Sequence, residues 1–163
     1  MCAFSKESKI AIIGQAPGKK VHASGIPWDD QSGKNLRNWL NVTPETFYNT
    51  SKFAIVPMGF CYPGKGKTGD LPPRKECAPT WHDSVFTYTS NIELFILIGK
   101  YAQDYYLKDN NTLTNRVKNF HDYLPQYFVL PHPSPRNNIW IKKNKWFLQD
   151  VIPELQQLIY TYL

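Results

Sequence analysis

The chain has 163 residues, 42% hydrophobic and 20% charged, enough for one domain with a packed core and too apolar for a disordered segment. A net charge of +6 and an isoelectric point near 9.2 lean towards a polyanionic partner. Cys2, Cys61 and Cys77 make an odd set without compact spacing, which excludes a disulfide scaffold and favours a reducing, cytoplasmic setting.

KIAIIG (9–14) is a short apolar run that ends in glycine, the pattern of a buried parallel strand. GQAPGKK follows as a loop. Leu36, Trp39 and Leu40 have helical spacing within 32–42, with Ser32 as a possible cap, and Thr43-Pro44-Glu45 opens a second short helix. KFAIVPM (52–58) is the next strand. Residues 59–73 form a long loop punctuated by Gly59, Gly64, Gly66 and Gly69, with Lys65 and Lys67 among them; loops of that length in a compact domain are usually functional. A helix is expected at about 79–89, a strand at 93–99, and helices at about 100–107 and 112–121. YFVLP (127–131) is a last strand, and a helix from about Lys143 closes the chain. Lys6 and Glu7 interrupt the N-terminus and no apolar run approaches membrane-spanning length, so neither a secretory leader nor a membrane anchor is expected.

Strands alternating with helices predict a three-layer α/β/α fold on a parallel sheet of about four strands, in a single domain over 1–163. Ligands in such sheets sit beyond the carboxyl ends of the strands. GQAPG, GFCYPGKGKTGD and HPSPRNN each follow a strand, so all three loops are expected on one rim.

In PHPSPRNN (131–138), proline fixes its own φ and pushes the preceding residue out of the helical region. His132 is thereby held extended between Pro131 and Pro133. It is either a donor to an oxygen on which negative charge develops or a histidine tied to backbone. GQAPG brings backbone close to a ligand beside the donor and acceptor groups of Gln15; it lacks the spacing of a dinucleotide fingerprint and of a phosphate loop. In GIPWDD (25–30), Trp28 is an aromatic able to stack on a flat ring. Asp29 and Asp30 either orient water and stabilise a cation or cap the following helix. His22 is an outside candidate; His82 and His121 are read as structural or surface residues.

These motifs resemble the uracil-DNA glycosylase superfamily. IIGQAPG followed by SGIPWDDQSGKNLRNWL is similar to the first motif and the segment after it in the iron–sulfur branch. HPSPRN (132–137) resembles the second motif, with the same six letters as the single-strand-selective monofunctional branch. LFILIGKYA (94–102) resembles the strand and turn between them. The resemblance implies hydrolysis of an N-glycosidic bond to a deaminated base flipped out of DNA. It implies that Trp28 stacks on the base and that Gly14, Gln15, Ala16 and Pro17 line its pocket. His132, as neutral imidazole, would donate to the departing base. Ser134 and Pro135, with Pro133, would press on phosphates beside Asn137. Arg136 would fill the vacated stack, and Lys65 and Lys67 would hold the backbone.

Three departures bear on that expectation. The loop after the second strand carries no asparagine, so the backbone amides of Gly59 and Phe60 are the expected substitutes for reading the base edge. The first motif carries no carboxylate, which leaves Asp29 and Asp30 as the nearest. Cys61 and Cys77 match only half of a four-cysteine set, so no cluster, no metal and no other cofactor is expected. The partner is then DNA bearing a deaminated base, acted on by a monomer. A hypoxanthine- or xanthine-directed glycosylase and a non-catalytic damage binder are the alternatives.

Overall fold

The computed structural model describes residues 1–163. Four strands, β1 (Ile10–Ile13), β2 (Phe53–Ile55), β3 (Leu94–Ile98) and β4 (Tyr127–Leu130), form one all-parallel sheet in the order β2-β1-β3-β4. Ile10 pairs with Phe53 on one side and Leu94 on the other, and Phe95 pairs with Tyr127. Nearly every strand residue is buried, as parallel strands covered on both faces require. Each buried Ile, Leu or Phe contributes roughly 1.5–3 kcal/mol.

Eight α-helices surround the sheet: α1 (Lys19–Ser24), α2 (Gln31–Leu40), α3 (Pro44–Phe47), α4 (Cys77–Tyr88), α5 (Lys100–Leu107), α6 (Leu113–Lys118), α7 (Asn138–Lys143) and α8 (Ile152–Tyr162). Side-chain alternation along β3 and β4 sorts them into two layers. Phe95 meets Phe86 of α4, and Tyr127 meets Tyr106 of α5. On the opposite face, Phe128 stacks against Phe120, beyond α6. The three-layer α/β/α architecture expected from the sequence is present. No helix is long and apolar enough to cross a membrane.

The strand order reverses between β1 and β3, so the loops after β1, β2, β3 and β4 open onto one rim at the switch point. The β1 and β2 loops continue the ladder beyond the strands: Val56 N donates to Ile12 O, Met58 N to Gly14 O and Gly59 N to Gln15 O. The final residues of β3 and β4 are also tied from below. Gln103 is fully buried, and its Nε2 donates to the Leu97 and Leu130 carbonyls.

Three stretches differ from the sequence expectation. The loop after β1 contains α1, a six-residue helix with Val21 as its one buried residue, ended by Gly25 at φ 72°. The predicted helix over 112–121 stops at Lys118 and gives way to a 3-10 turn, Phe120–Tyr123. The closing helix is two helices. α7 already spans Asn138–Lys143, and Asn144 ends it, its Nδ2 donating to the Trp140 carbonyl. A π turn (Phe147–Val151) then leads into α8. Pro153, in the first turn of α8, lacks an N–H and crowds the carbonyl four residues earlier, which widens the helix at that point.

Candidate active site

A cleft of about 590 Å³ opens at the rim, within the range of small-molecule sites. Gly14, Gln15, Ala16 and Pro17 from the β1 loop line it together with Trp28 and Asp30. His132, Ser134, Arg136 and Asn137 approach from the β4 loop. The β2 loop adds Pro57 and the Thr68–Leu71 stretch, and Tyr101 comes from the start of α5.

Trp28 is held in an unusual backbone conformation, φ 59°, which costs a non-glycine residue of order 1–3 kcal/mol and persists only where the surroundings enforce it. The enforcement is visible. Arg37 Nη1 donates to the Trp28 carbonyl at 3.3 Å, and the Tyr48 hydroxyl donates to the Pro27 carbonyl at 2.9 Å. A Cβ on Gly33 would lie 1.8 Å from the Trp28 oxygen. At the other end, a Cβ on Gly14 would lie 2.7 Å from Trp28 Cζ2. The two glycines therefore make room for one tryptophan, with its indole lying across Gly14.

His132 faces that indole, ring centroids 5.8 Å apart and planes tilted by 33°. Its backbone is fixed rather than its ring. Asn137 Nδ2 donates to the His132 carbonyl at 2.7 Å, and Asn35 Nδ2, from α2, donates to the Pro133 carbonyl at 2.8 Å. Neither ring nitrogen has a protein partner. Burial pushes the imidazole pKa below its ordinary 6.5, with the Asp30 charge pulling the other way. The ring is thus neutral at pH 7 and keeps one N–H for whatever occupies the cleft.

The two aspartates separate in role. Asp30 is the N-cap of α2, its Oδ1 accepting from Gly33 N at 2.8 Å, and it also lines the cleft. Asp29 is exposed and outside the lining. Gln15 lines the cleft with a carboxamide that hydrogen-bonds to no other protein group, while its carbonyl accepts from Gly59 N.

That last bond occupies the Gly59 amide, so Gly59 has no N–H to offer a base. Phe60 lies outside the cleft, its ring 6.1 Å from His82. The β2 wall presents Pro57, whose carbonyl accepts from Nε2–H of the buried His82 at 3.0 Å. With Nε2 protonated, His82 Nδ1 accepts from the Tyr106 hydroxyl. Burial holds the His82 pKa down and raises that of Tyr106, so both stay neutral.

Lys65 and Lys67 are exposed on a small hairpin closed by a Lys65–Asp70 bridge, outside the cleft lining. Arg136 reaches from the 3-10 turn Pro135–Asn137, which Ser134 caps, to that hairpin: its Nη1 donates to the Thr68 carbonyl at 3.3 Å. His22 is exposed, with Nδ1 accepting from Tyr62 N. Cys2 and Cys61 are exposed and Cys77 begins α4; all three are free. Three thiols do not supply a four-thiolate cluster, and no three His, Cys, Asp or Glu side chains are grouped to hold a metal ion.

Sequence reasoning missed Asn35 and Tyr101: LIGKYA places Tyr101 just after a strand, and nothing local marks Asn35. Pro57 and Asp70 lie in the stretches after β2 that the sequence singles out, but they were not assigned to the site.

A 125-residue stretch is 27% identical to an isoleucine–tRNA ligase of Thermosynechococcus vestitus (strain NIES-2133 / IAM M-273 / BP-1). It covers 77% of this chain and 12% of that protein's length. The uracil DNA glycosylase superfamily model matches residues 3–156. With nearly its whole length matched and both signature loops facing one cleft at the sheet's carboxyl rim, the chain belongs to the uracil DNA glycosylase superfamily.

Proposed function

We propose that this protein is a monofunctional DNA glycosylase that hydrolyses the N-glycosidic bond of uracil or a related deaminated base extruded from DNA. The observation that carries the reading is His132: a neutral imidazole on a clamped loop, both ring nitrogens free, facing Trp28 across an open cleft.

The extruded base lies against the Trp28 indole, and Gln15 meets its polar edge. A carboxamide matches a lactam edge at two points, its oxygen accepting the ring N–H and its nitrogen donating to the ring carbonyl. As the C1′–N bond breaks, its electron pair goes to the base. The His132 N–H donates to the base oxygen on which that charge accumulates, stabilising the leaving anion. The sugar becomes cationic at C1′, where the Asp30 carboxylate favours positive charge and accepts the proton of the attacking water. The products are the free base and an abasic sugar.

A second reading keeps the chemistry and changes the base. On the β2 wall the Met58 and Gly59 amides are spent on Gly14 and Gln15 and Pro57 has no N–H, and the lactam edge that Gln15 recognises is shared by uracil, hypoxanthine and xanthine. The cleft, at about 590 Å³, leaves space for the larger ring. Purine release therefore belongs among the activities measured.

The test is release of labelled uracil, hypoxanthine or xanthine from single- and double-stranded DNA, with His132→Ala alongside. Release lost by at least 10²-fold in the variant supports the reading. Release that ignores His132 removes its role. DNA binding with no release of any base would leave a binder on a glycosylase frame.

A further inference from the structure

We propose that Gln103 is a positioning residue for His132: its buried carboxamide pins the end of β4 and so sets where the imidazole stands in the cleft. The inference rests on the glycosylase reading for the chemistry that His132 performs. It deepens that reading by assigning a residue that never touches the substrate.

Gln103 lies in α5, two residues after Tyr101 at the cleft, and is fully buried. Its Nε2 donates to two strand-end carbonyls, Leu130 O at 2.9 Å and Leu97 O at 3.3 Å. That use fixes which way the amide faces, because the reverse orientation would set Oε1 against two oxygens. Oε1 is then left inside the fold with no protein donor. A buried acceptor without a partner lowers stability, whereas an apolar side chain of similar length carries no such group. The Leu130 carbonyl would keep a partner without Gln103, since Gly99 N also donates to it at 2.8 Å. Stability alone therefore does not account for a carboxamide at this position.

The place of Leu130 in the chain does account for it. The Leu130 carbonyl and the Pro131 nitrogen share one peptide plane, and the two donors on that oxygen hold the plane. The Pro131 ring fixes the next φ. One torsion, the ψ of Pro131, then separates the held plane from the His132 Cα. Downstream, Asn137 and Asn35 hold the His132 and Pro133 carbonyls. The imidazole thus rides on a segment anchored at both ends, and Gln103 is the side chain at the upstream end. Gly99 lets that anchor come close: a Cβ there would lie 3.7 Å from His132 Cβ. The turn after β3 and the His132 loop therefore pack directly on each other, with Gln103 beneath both.

The experiment compares Gln103→Met, which keeps the side-chain length and nearly the volume, with wild type in the full chain. Single-turnover release of uracil is expected to fall by about tenfold or more at saturation, with KM unchanged because Trp28 and Gln15 still meet the base. The urea midpoint is expected to stay near the wild-type value. On a His132→Ala background, Gln103→Met is expected to cost nothing further, whereas on a Gln15→Leu background its loss multiplies. A readout independent of catalysis is the His132 ring followed by NMR. Its signals are expected to be single in wild type and broadened or doubled in Gln103→Met. They are expected to be unaltered in Asp109→Ala, which loosens the Arg116 ion pairs at the other end of α5. A full loss on the His132→Ala background, a raised KM at unchanged kcat, or unaltered His132 signals in Gln103→Met overturns the positioning role. A Gln103→Met chain that does not fold overturns it as well, since the carboxamide would then serve the core. If wild type releases no base while the His132 signals still depend on Gln103, the positioning stands and the glycosylase reading falls.

Discussion

Replacing Gly14 with alanine tests how the aromatic platform is placed. The new Cβ would sit 2.7 Å from Trp28 Cζ2 and 3.3 Å from Cη2, against an optimum of about 3.5–4.0 Å for carbon pairs. Relief requires the ring edge to move by about 1 Å. The backbone of Trp28 cannot take up that shift, because Gly33 lies beneath its carbonyl and Arg37 donates to it. The indole must pivot over the cleft instead. A misplacement of that size costs about 10²-fold in rate, and the overpacking costs about 1–3 kcal/mol in stability. Single-turnover release of uracil at saturating enzyme measures the first and urea denaturation the second. The two losses are coupled through one ring, so Gly14→Ala on a Trp28→Ala background should lower the rate little further. A single variant within threefold of wild type, or fully additive losses, would refute the claim that Gly14 exists to seat the indole.

Other outcomes follow from the same geometry. Release should be flat from pH 7 to 8, because burial disfavours the charged ring and keeps proton uptake by His132 below the ordinary 6.5; a step in that range that His132→Ala abolishes would contradict the neutral donor. Asp30→Asn removes the charge that opposes this shift, so the His132 titration followed by NMR should move to lower pH while the maximal rate drops; a titration displaced to higher pH would contradict the pairing. Gln15→Leu should raise KM and lower kcat/KM for uracil by about tenfold or more, since Gln15 alone among the first-motif side chains offers the base a free hydrogen-bonding group. Asp109→Ala leaves Arg116, 2% exposed, with Asp104 as its one carboxylate partner; denaturation should show a loss of about 2–3 kcal/mol, and release per folded molecule should stay at the wild-type level.

The strands were legible in the sequence because burial on both faces leaves continuous apolar runs, as in IAII and LFILI. The rim was legible because proline and glycine constrain backbone by themselves: HPSPRN and GQAPG reveal stiff or closely approached loops before any partner is known. Elements without a period escaped. α1 buries one residue, and α7 is hidden among asparagines after a proline frame. The hairpin over 65–70 rests on a single bridge. Long-range partners left no local trace either. Asn35 lies 98 residues from the carbonyl it holds, and nothing near Gly59 shows that its amide is spent on Gln15. Asp30 carried two readings, helix cap and site carboxylate; in the fold it caps α2 and also lines the cleft.

The ladder that continues past β1 and β2 has a consequence for how base preference can change. Because Met58 and Gly59 donate to Gly14 and Gln15, the two loops behave as one plank, and neither can be exchanged between relatives without disturbing the other. The plank is stiff in its backbone yet has no side-chain hydrogen-bonding group at Pro57, which lines the cleft together with Ile55 and Gln15. Pro57→Asn would give that wall a carboxamide and an N–H while leaving the ladder intact. Under the glycosylase function proposed above, one codon on a fixed frame would then shift preference among bases, an arrangement in which new substrates are acquired by point mutation without rebuilding a loop.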